Sequence, residues 1–180
     1  MASLRTLVAY VEDKPGVLNR VASLFRRRGY NIASLNVGRT HEVGVSRMTI
    51  VVEGDSRVAQ LMEANLYKLV NVLSVEDITD TPSIVRDMAL IKVAVDAHRR
   101  AEVLQLVEVF HARVVDIGPA TLTAEITGSP DKIDAFVEVV KPYGISEMVQ
   151  TGRISMTRGV ESDASRISHG QEGDSVVTAA

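Results

Sequence analysis

One order of strands and helices occurs twice along this chain. Strand-like, β-rich segments occupy 7–11, 31–37, 47–53 and 72–78, and again 88–96, 114–118, 122–128 and 145–152. Four helices are predicted between them, from apolar residues spaced i, i+3, i+4 and i+7. An order of β-α-β-β-α-β is typical of a ferredoxin-like unit. The sequence therefore predicts an α+β fold of two ferredoxin-like βαββαβ units.

The apolar faces of the four predicted helices support the repeat. They are Leu18, Val21, Ala22 and Phe25; Val58, Leu61, Met62 and Leu69; Val103, Leu106, Val107 and Phe110; and Ile133, Phe136, Val137 and Val140. An offset of 85 positions places the first face on the third, since Val21 then matches Leu106 and Phe25 matches Phe110. We expect the second helix to be capped by the Asp-Ser pair at its start.

The repeat also predicts the domain boundaries. Residues 1–80 form the first domain, 81–87 a linker that contains a proline, and 88–158 the second domain. The segment 159–180 loses all periodicity and is rich in Ser, Gly and acidic residues. Such a composition cannot bury enough apolar surface to offset the entropy of ordering, so this tail is predicted to be disordered.

Charge and composition exclude several classes of function. With 180 residues, a net charge of −3 and a pI near 5.8, the chain lacks the basic surplus of proteins that bind nucleic acid or anionic membranes. No cysteine is present, which excludes thiolate chemistry and disulfides. The first residues do not resemble a signal peptide, and no apolar run is long enough to span a bilayer. A cytoplasmic location with no nucleic-acid or membrane partner is expected.

Candidate catalytic groups are scarce. The histidines His41, His98, His111 and His169 show no metal-ligand spacing, and no pair of carboxylates is placed around a predicted cleft. The segment "FRRRGY" (25–30) could bind phosphate, but three arginines in the last turn of a helix also complement the negative end of its dipole. We favour the dipole interpretation, because a lone basic triplet is a weak signal.

Two strands of the first domain are apolar on both faces. The runs "LVAYV" (7–11) and "TIVV" (49–52) do not alternate as half-solvated strands do. Apolar residues are common in strands for reasons of packing alone. An exposed apolar sheet face would nevertheless be a liability, and we interpret the pattern as a face covered by a second copy in a symmetric homodimer.

The segment "KPG" stands between the first strand and the first helix. Proline and glycine together are common turn punctuation. The alternative is an anion site, because a helix start presents free backbone N–H groups and Gly16 lets a ligand approach closely. The residues alone leave both interpretations open.

The order of several motifs resembles a known family. "VEDKPGVLNRVASLFRRRGYNI", "SRMTIVVEGD", "LYKLVNVLSVEDI" and "TAEITGSPDKIDAFVEVVKPYGI" are similar to the small, regulatory subunit of acetolactate synthase (acetohydroxyacid synthase), over about residues 4–158. The resemblance implies an N-terminal ACT domain, which senses amino acids, and a non-catalytic chain. Such a chain would activate a separate catalytic subunit and confer feedback inhibition by valine or another branched-chain amino acid. Thiamine diphosphate, Mg²⁺ and FAD would be held by that catalytic subunit, with no cofactor in this chain.

The resemblance also implies where the effector binds, at a dimer interface between the turn after the first strand and the first helix. The contacts it implies are Asp13, Gly16, Val17, Leu18, Asn31 and Ile32. The effector carboxylate would meet N–H groups near Gly16, Asn31 would supply a donor and an acceptor, and Asp13 would favour the ammonium group. Relatives often carry Asn where Asp13 stands.

The second repeat is predicted to lack this site. An offset of 85 replaces Gly16 by Ala101 and Asn31 by Asp116, whose carboxylate would repel that of the effector. The second domain is therefore assigned to contacts with the catalytic subunit. Two rival functions remain, a free-standing ACT-type sensor that serves another enzyme or a transcription system, and a small enzyme on a ferredoxin-like scaffold.

Overall fold

The computed structural model describes residues 3–159, so the tail predicted to be disordered lies, except for Gly159, outside the described residues. The described chain divides into two compact units, one containing residues 3–83 together with 157–159, and the other spanning Ile84–Met156. The elements up to Ser83 are β1 (Leu4–Glu12), α1 (Val17–Arg28), β2 (Ile32–Arg39), β3 (Val45–Glu53), α2 (Ser56–Leu66) and β4 (Val72–Asp77). Those that follow are β5 (Ser83–Ala94), α3 (Arg100–Val109), β6 (Arg113–Ile117), β7 (Thr121–Gly128), α4 (Pro130–Val140), β8 (Ile145–Gln150) and β9 (Ile154–Thr157).

The first unit is a four-stranded antiparallel sheet with both helices packed on one face. Its strand order is β2-β3-β1-β4, which leaves β2 at an edge. Every second residue of the central strands points to the helices, and these residues form one apolar core with the buried faces of α1 and α2. The core comprises Leu7, Ala9, Val11, Val17, Val21, Leu24, Phe25, Met48, Ile50, Val52, Ala59, Met62, Leu66 and Val75.

Both helices of this unit bury a face slightly rotated from the predicted one. Helix α1 buries Val17 and Leu24, whereas Leu18 is 45% exposed. Helix α2 ends at Leu66, and it exposes Leu61 while burying Ala59. Spacings of three and four residues both lie close to one helical turn, so a periodicity argument can shift the face by a residue. The predicted cap is confirmed, since the Asp55 side chain accepts a hydrogen bond from the N–H of Val58.

The second unit repeats the architecture with one strand added. Its strand order is β6-β7-β5-β8, and β9 pairs with β5. The predicted helix faces are confirmed here, because Val103 and Val107 of α3 and Ile133, Phe136 and Val140 of α4 are buried. Strand β9 was not predicted from the sequence. Residues 83–87, which we predicted to lie in a linker, form the first part of β5. The predicted α+β fold of two βαββαβ units is confirmed.

The apolar second face of the first sheet includes Val8 and Val51, which point away from the helices and are not part of the helix-side core. The homodimer predicted from this face stays a prediction. Strand β2 lies at an edge of the same sheet.

An ion pair fastens β4 to the start of β1. The Nε of Arg5 donates to Oδ2 of Asp77 at 3.0 Å, and both side chains are at most 15% exposed. Burial alone would raise the pKa of the Asp77 carboxyl, but hydrogen bonds from Thr79 and Arg5 outweigh it and hold the pKa below its ordinary value of 3.8. A carboxyl whose pKa is depressed by folding stabilises the folded state at a pH above its unfolded pKa.

We expect Asp77→Asn to cost roughly 2 kcal/mol of unfolding free energy at pH 7, because it removes a charged acceptor from a mostly buried guanidinium. The difference from the unmodified chain should shrink as the pH falls through 3.8 and vanish below the folded pKa. Urea unfolding between pH 2.5 and pH 7 measures this. Asp80→Asn is the control, since that carboxylate also contacts Arg5 but is 82% exposed. An equal loss in both variants would contradict the assignment.

Candidate functional site

The turn between β1 and α1 leaves a helix start open. Gly16 precedes α1 with φ +83°, a left-handed conformation that favours glycine, and no side chain caps the helix. A Cβ added at Gly16 would meet nothing within 4 Å, so the glycine is required by backbone conformation and not by crowding. Within residues 3–159 the N–H groups of Gly16, Leu18 and Asn19 make no hydrogen bond. This arrangement is suited to an anion.

The residues predicted to contact the effector at this turn differ in whether a ligand can reach them. Val17 is buried in the core, and its N–H donates to the carbonyl of Lys14 at 3.3 Å, so it is not free for a ligand. Leu18 and Asp13 are exposed. The free N–H of Asn19 was not among the predicted contacts. It could have been predicted, because the first four N–H groups of a helix have no partner within the helix, and Asn19 is among them when Gly16 is the cap.

A network of polar side chains holds the turn in place. The carboxylate of Glu12 accepts hydrogen bonds from the side chains of Asn71 and Lys14, and the amide oxygen of Asn71 accepts from Nη1 of Arg20 at 2.6 Å. The bonds from Asn71 and Lys14 lower the pKa of the Glu12 carboxyl, which stays ionised at neutral pH. This network ties the end of β1 and the first turn of α1 to the residue that precedes β4, around the open helix start. Glu12 and Asn71 lie 59 positions apart in sequence, so no local motif predicts this network.

The loop between β2 and β3 lies against the same turn. The N–H of Asp13 donates to the carbonyl of Gly44 at 2.7 Å. Leu18, Val37 and Val43, three apolar residues on the first turn of α1, on β2 and in this loop, are 45%, 42% and 103% exposed. An open helix start with exposed apolar side chains on nearby elements can accommodate a ligand with an anionic and an apolar part.

Within one chain, Asn31 and Ile32 lie at the opposite end of the first sheet from this turn. Ile32 pairs with Val52, which also pairs with Arg5 at the beginning of β1, whereas the turn follows Glu12 at its end. At about 3.3 Å per residue, Ile32 and Glu12 are separated by roughly 23 Å along the sheet. Ile32 packs against the core, and Asn31 is exposed without a hydrogen bond from its side chain within residues 3–159. The structure therefore does not bring the six predicted residues together in one chain.

The second unit holds a carboxylate of its own in the turn before the equivalent helix, α3. Corresponding backbone hydrogen bonds equate Asp13 with Val95 and Gly29 with His111, an offset of 82 positions and not the predicted 85. Oδ1 of Asp96 accepts from the N–H groups of His98 at 2.9 Å and Arg99 at 3.0 Å. The N–H of Arg99, together with that of His98, lowers the pKa of the Asp96 carboxyl.

The offset of 82 changes the physical reason why the second unit is expected to lack an effector site. Gly16 now corresponds to His98, and Asn31 corresponds to Arg113, so the argument from Ala101 and Asp116 was wrong. Lys14 of the first unit stands where Asp96 stands in the second. An anion at the start of α3 would be repelled by the carboxylate of Asp96.

Among residues 3–159 no three His, Asp or Glu side chains lie close enough together to hold a metal ion. None of the helices described between Ser3 and Gly159 has the length and apolar character needed to cross a membrane.

Two family models match the chain. Residues 7–74 match a model described as an "AHAS small subunit-like ACT domain", and residues 86–159 match one described as "Small subunit of acetolactate synthase". The second match covers most of the second unit. The likeness therefore extends through both units and is not confined to the sensing domain.

Similar proteins carry the same description. The probable acetolactate synthase small subunit of Archaeoglobus fulgidus is 46% identical over 154 residues, which are 86% of this chain and 96% of that protein. The acetolactate synthase small subunit of Mycolicibacterium smegmatis is 47% identical, over 86% of this chain and 91% of that protein. The crystal structure of the small subunit from Thermotoga maritima superposes with a TM-score of 0.81 at 36% identity, covering 87% of this chain and 98% of that one. On this evidence the chain belongs to the family of acetolactate synthase small subunits, regulatory chains with an N-terminal ACT domain.

Proposed function

We propose that this chain binds valine or another branched-chain amino acid at the start of α1, activates an acetolactate synthase catalytic subunit, and transmits feedback inhibition to it. The open helix start at Gly16 is the observation that carries the proposal. Thiamine diphosphate, Mg²⁺ and FAD are assigned to the catalytic subunit. Membership of the small-subunit family supports that partner, and the match of residues 86–159 to the family disfavours a free-standing sensor.

The free groups at the turn suit the two ends of an amino acid. Its carboxylate would accept hydrogen bonds from the N–H groups of Gly16, Leu18 and Asn19, and the helix dipole would add about 0.3–1 kcal/mol. The exposed carboxylate of Asp13 would attract the ammonium group, and the exposed apolar chains of Leu18 and Val43 would cover the branched side chain. An apolar contact distinguishes one methylene by only about 1–3 kcal/mol, so leucine and isoleucine are alternative effectors.

A homodimer through the first unit would complete this site. Strand β2 is an edge strand and can pair with β2 of a second copy. If a two-fold axis makes that pair antiparallel, the start of one β2 lies beside the end of the other. The end of β2 is level with the end of β1, so Asn31 of one copy would approach the open helix start of its partner. Two copies would thus unite residues that one chain keeps apart.

The isolated chain is therefore expected to sediment as a dimer at micromolar concentration, and Val37→Lys is expected to shift it toward monomer. Val37 lies on β2 and is 42% exposed, so the substitution places two like charges at the new seam without disturbing the core. Arg57→Gln, an exposed change on α2, is the control. A monomer at this concentration would count against both the dimer and the shared site.

The second unit is proposed to contact the catalytic subunit. Asp96 places a negative charge in the turn before α3, which argues against an anionic effector there. It also exposes apolar side chains on β6 and β8, with Val115, Ile117 and Val149 at 45%, 52% and 61%. Exposed apolar residues on sheet strands are a common feature of surfaces that bind another protein.

Reconstitution tests the whole proposal. We expect the chain to raise the acetolactate synthase activity of a purified catalytic subunit, to show no such activity alone, and to make the complex sensitive to valine. Titration with valine, leucine and isoleucine would rank the effectors. Activation without sensitivity to any of the three would contradict effector binding, and the absence of both effects would contradict the regulatory role.

A further inference from the structure

A basic groove lies between the C-terminal ends of α1 and α2 in the first unit. It has a volume of about 480 Å³ and is open to solvent. Its lining combines two apolar residues with three cations and one amide: Leu24, Leu69, Arg27, Arg28, Lys68 and Asn65. The groove lies at the opposite end of α1 from Gly16, and nothing in the proposed effector site uses it.

A buried amide organises the cations. Asn65 is 2% exposed, and its Nδ2 donates to the carbonyl of Leu61 at 2.7 Å. Its Oδ1 accepts from Nη2 of Arg28 at 3.1 Å and from Nζ of Lys68 at 3.3 Å. Two positive charges are thus drawn to a single neutral oxygen. Each repels the other, and an amide oxygen carries no charge to offset this repulsion.

In the part of the chain that the structure describes, no carboxylate balances these charges. Within residues 3–159, Arg27, Arg28 and Lys68 form no ion pair with an acidic side chain. Arg27 uses its Nε for the carbonyl of Ser23 at 3.3 Å, which leaves its terminal nitrogens free. Most donors of the two guanidinium groups and of the ammonium group are therefore available at one place.

The helix dipole explains only part of this arrangement. It accounts equally for the three arginines at the end of α1, and Arg26, the first of them, does not line the groove. It does not explain why Arg28, at the end of α1, and Lys68, just beyond the end of α2, meet at one buried oxygen. The structure therefore adds Lys68 and Asn65 to a triplet that was a weak signal in the sequence.

We propose that this groove binds the phosphate group of a small molecule. A phosphate carries up to two negative charges and several acceptor oxygens, which match two guanidinium groups and an ammonium group better than a single carboxylate does. Leu24 and Leu69 form an apolar part of the wall, which suits a phosphorylated molecule with a less polar portion. Binding would relieve the repulsion between Arg28 and Lys68 and so stabilise the first unit.

Calorimetry and thermal unfolding of the full chain test the proposal with phosphate, pyrophosphate and a nucleoside triphosphate at constant ionic strength. We expect saturable binding and a higher melting temperature for at least one of them. Arg27→Gln and Lys68→Gln should each weaken binding by about tenfold or more. Equal affinity for pyrophosphate and the nucleotide would assign recognition to the phosphates alone. Tighter binding of the nucleotide than of pyrophosphate would show that its nucleoside part also contacts the groove.

Arg26→Gln is the matched control, because it removes an arginine of the same helix turn that lies outside the groove. Its phosphate affinity should equal that of the unmodified chain. All three substituted residues are exposed, so misfolding is not expected. The proposal is wrong if none of the three ligands binds more strongly than an equivalent concentration of chloride, or if Arg26→Gln weakens binding as much as Arg27→Gln does.

Discussion

Replacing Gly16 with aspartate is expected to give a holoenzyme that is still activated but no longer inhibited by valine. The added carboxylate would stand beside the free N–H groups of Leu18 and Asn19 and compete with the carboxylate of the effector. We expect the valine concentration for half-inhibition to rise by about a hundredfold or more. Activity of the reconstituted enzyme, measured across a valine titration, tests this.

The backbone at Gly16 makes the choice of control important. A residue other than glycine at φ +83° costs on the order of 1 kcal/mol, although aspartate and asparagine tolerate this region better than most. A new Cβ meets no atom within 4 Å, so the turn has room for either side chain. Gly16→Asn has nearly the same size and strain but no charge. It should therefore retain more of the valine sensitivity than Gly16→Asp.

Two outcomes would contradict the site. Normal valine sensitivity in Gly16→Asp would show that "KPG" is only turn punctuation. A parallel loss of activation and inhibition would show that the turn serves the contact with the catalytic subunit. Inhibition requires the effector to bind one state of the complex better than another, and a site that no longer binds cannot shift that balance. Separation of the two properties is therefore the diagnostic result.

The fold could be predicted from the sequence because its strongest signals are local. Strand and helix periodicities, the Asp55 cap and the turn residues act over a few positions, and their order repeats. The exact offset could not be predicted in this way. Matching Val21 to Leu106 instead of Val103 preserves the apolar pattern, since three residues are nearly one helical turn. Only the backbone hydrogen bonds distinguish an offset of 82 from 85.

The site was predictable in part for the same reason. Gly16 stands at a turn that local chemistry predicts, and the free helix start follows from it. The separation of Asn31 from that turn depends on strand order and register, which local patterns do not specify. The network of Glu12, Asn71 and Arg20 joins β1, α1 and the loop before β4, and it likewise could not be predicted from local patterns. The structure therefore adds the long-range contacts, which decide which of the predicted site residues lie close together.

Mixing two defective chains is expected to restore valine sensitivity. Asn31→Ala should weaken effector binding by about ten- to a hundredfold, because it removes a side chain that carries both a hydrogen-bond donor and an acceptor. The position is exposed, so the core is not affected. If each site takes Gly16 from one chain and Asn31 from the other, a heterodimer of Gly16→Asp and Asn31→Ala chains has one site with both defects and one intact site. Heterodimers isolated through two different affinity tags should therefore respond to valine, although each parent homodimer resists it.

The reciprocal pairing provides the decisive control. A heterodimer of the unmodified chain and the double variant Gly16→Asp/Asn31→Ala contains the same two substitutions, but each of its shared sites has one defect, so it should resist valine. A site contained within one chain predicts the opposite for both pairings, since the unmodified chain would then keep its own site. Strand register favours the shared arrangement, because it places Ile32 level with Arg5, whereas the turn follows Glu12 at the other end of β1. Resistance of the first heterodimer together with sensitivity of the second would reject it.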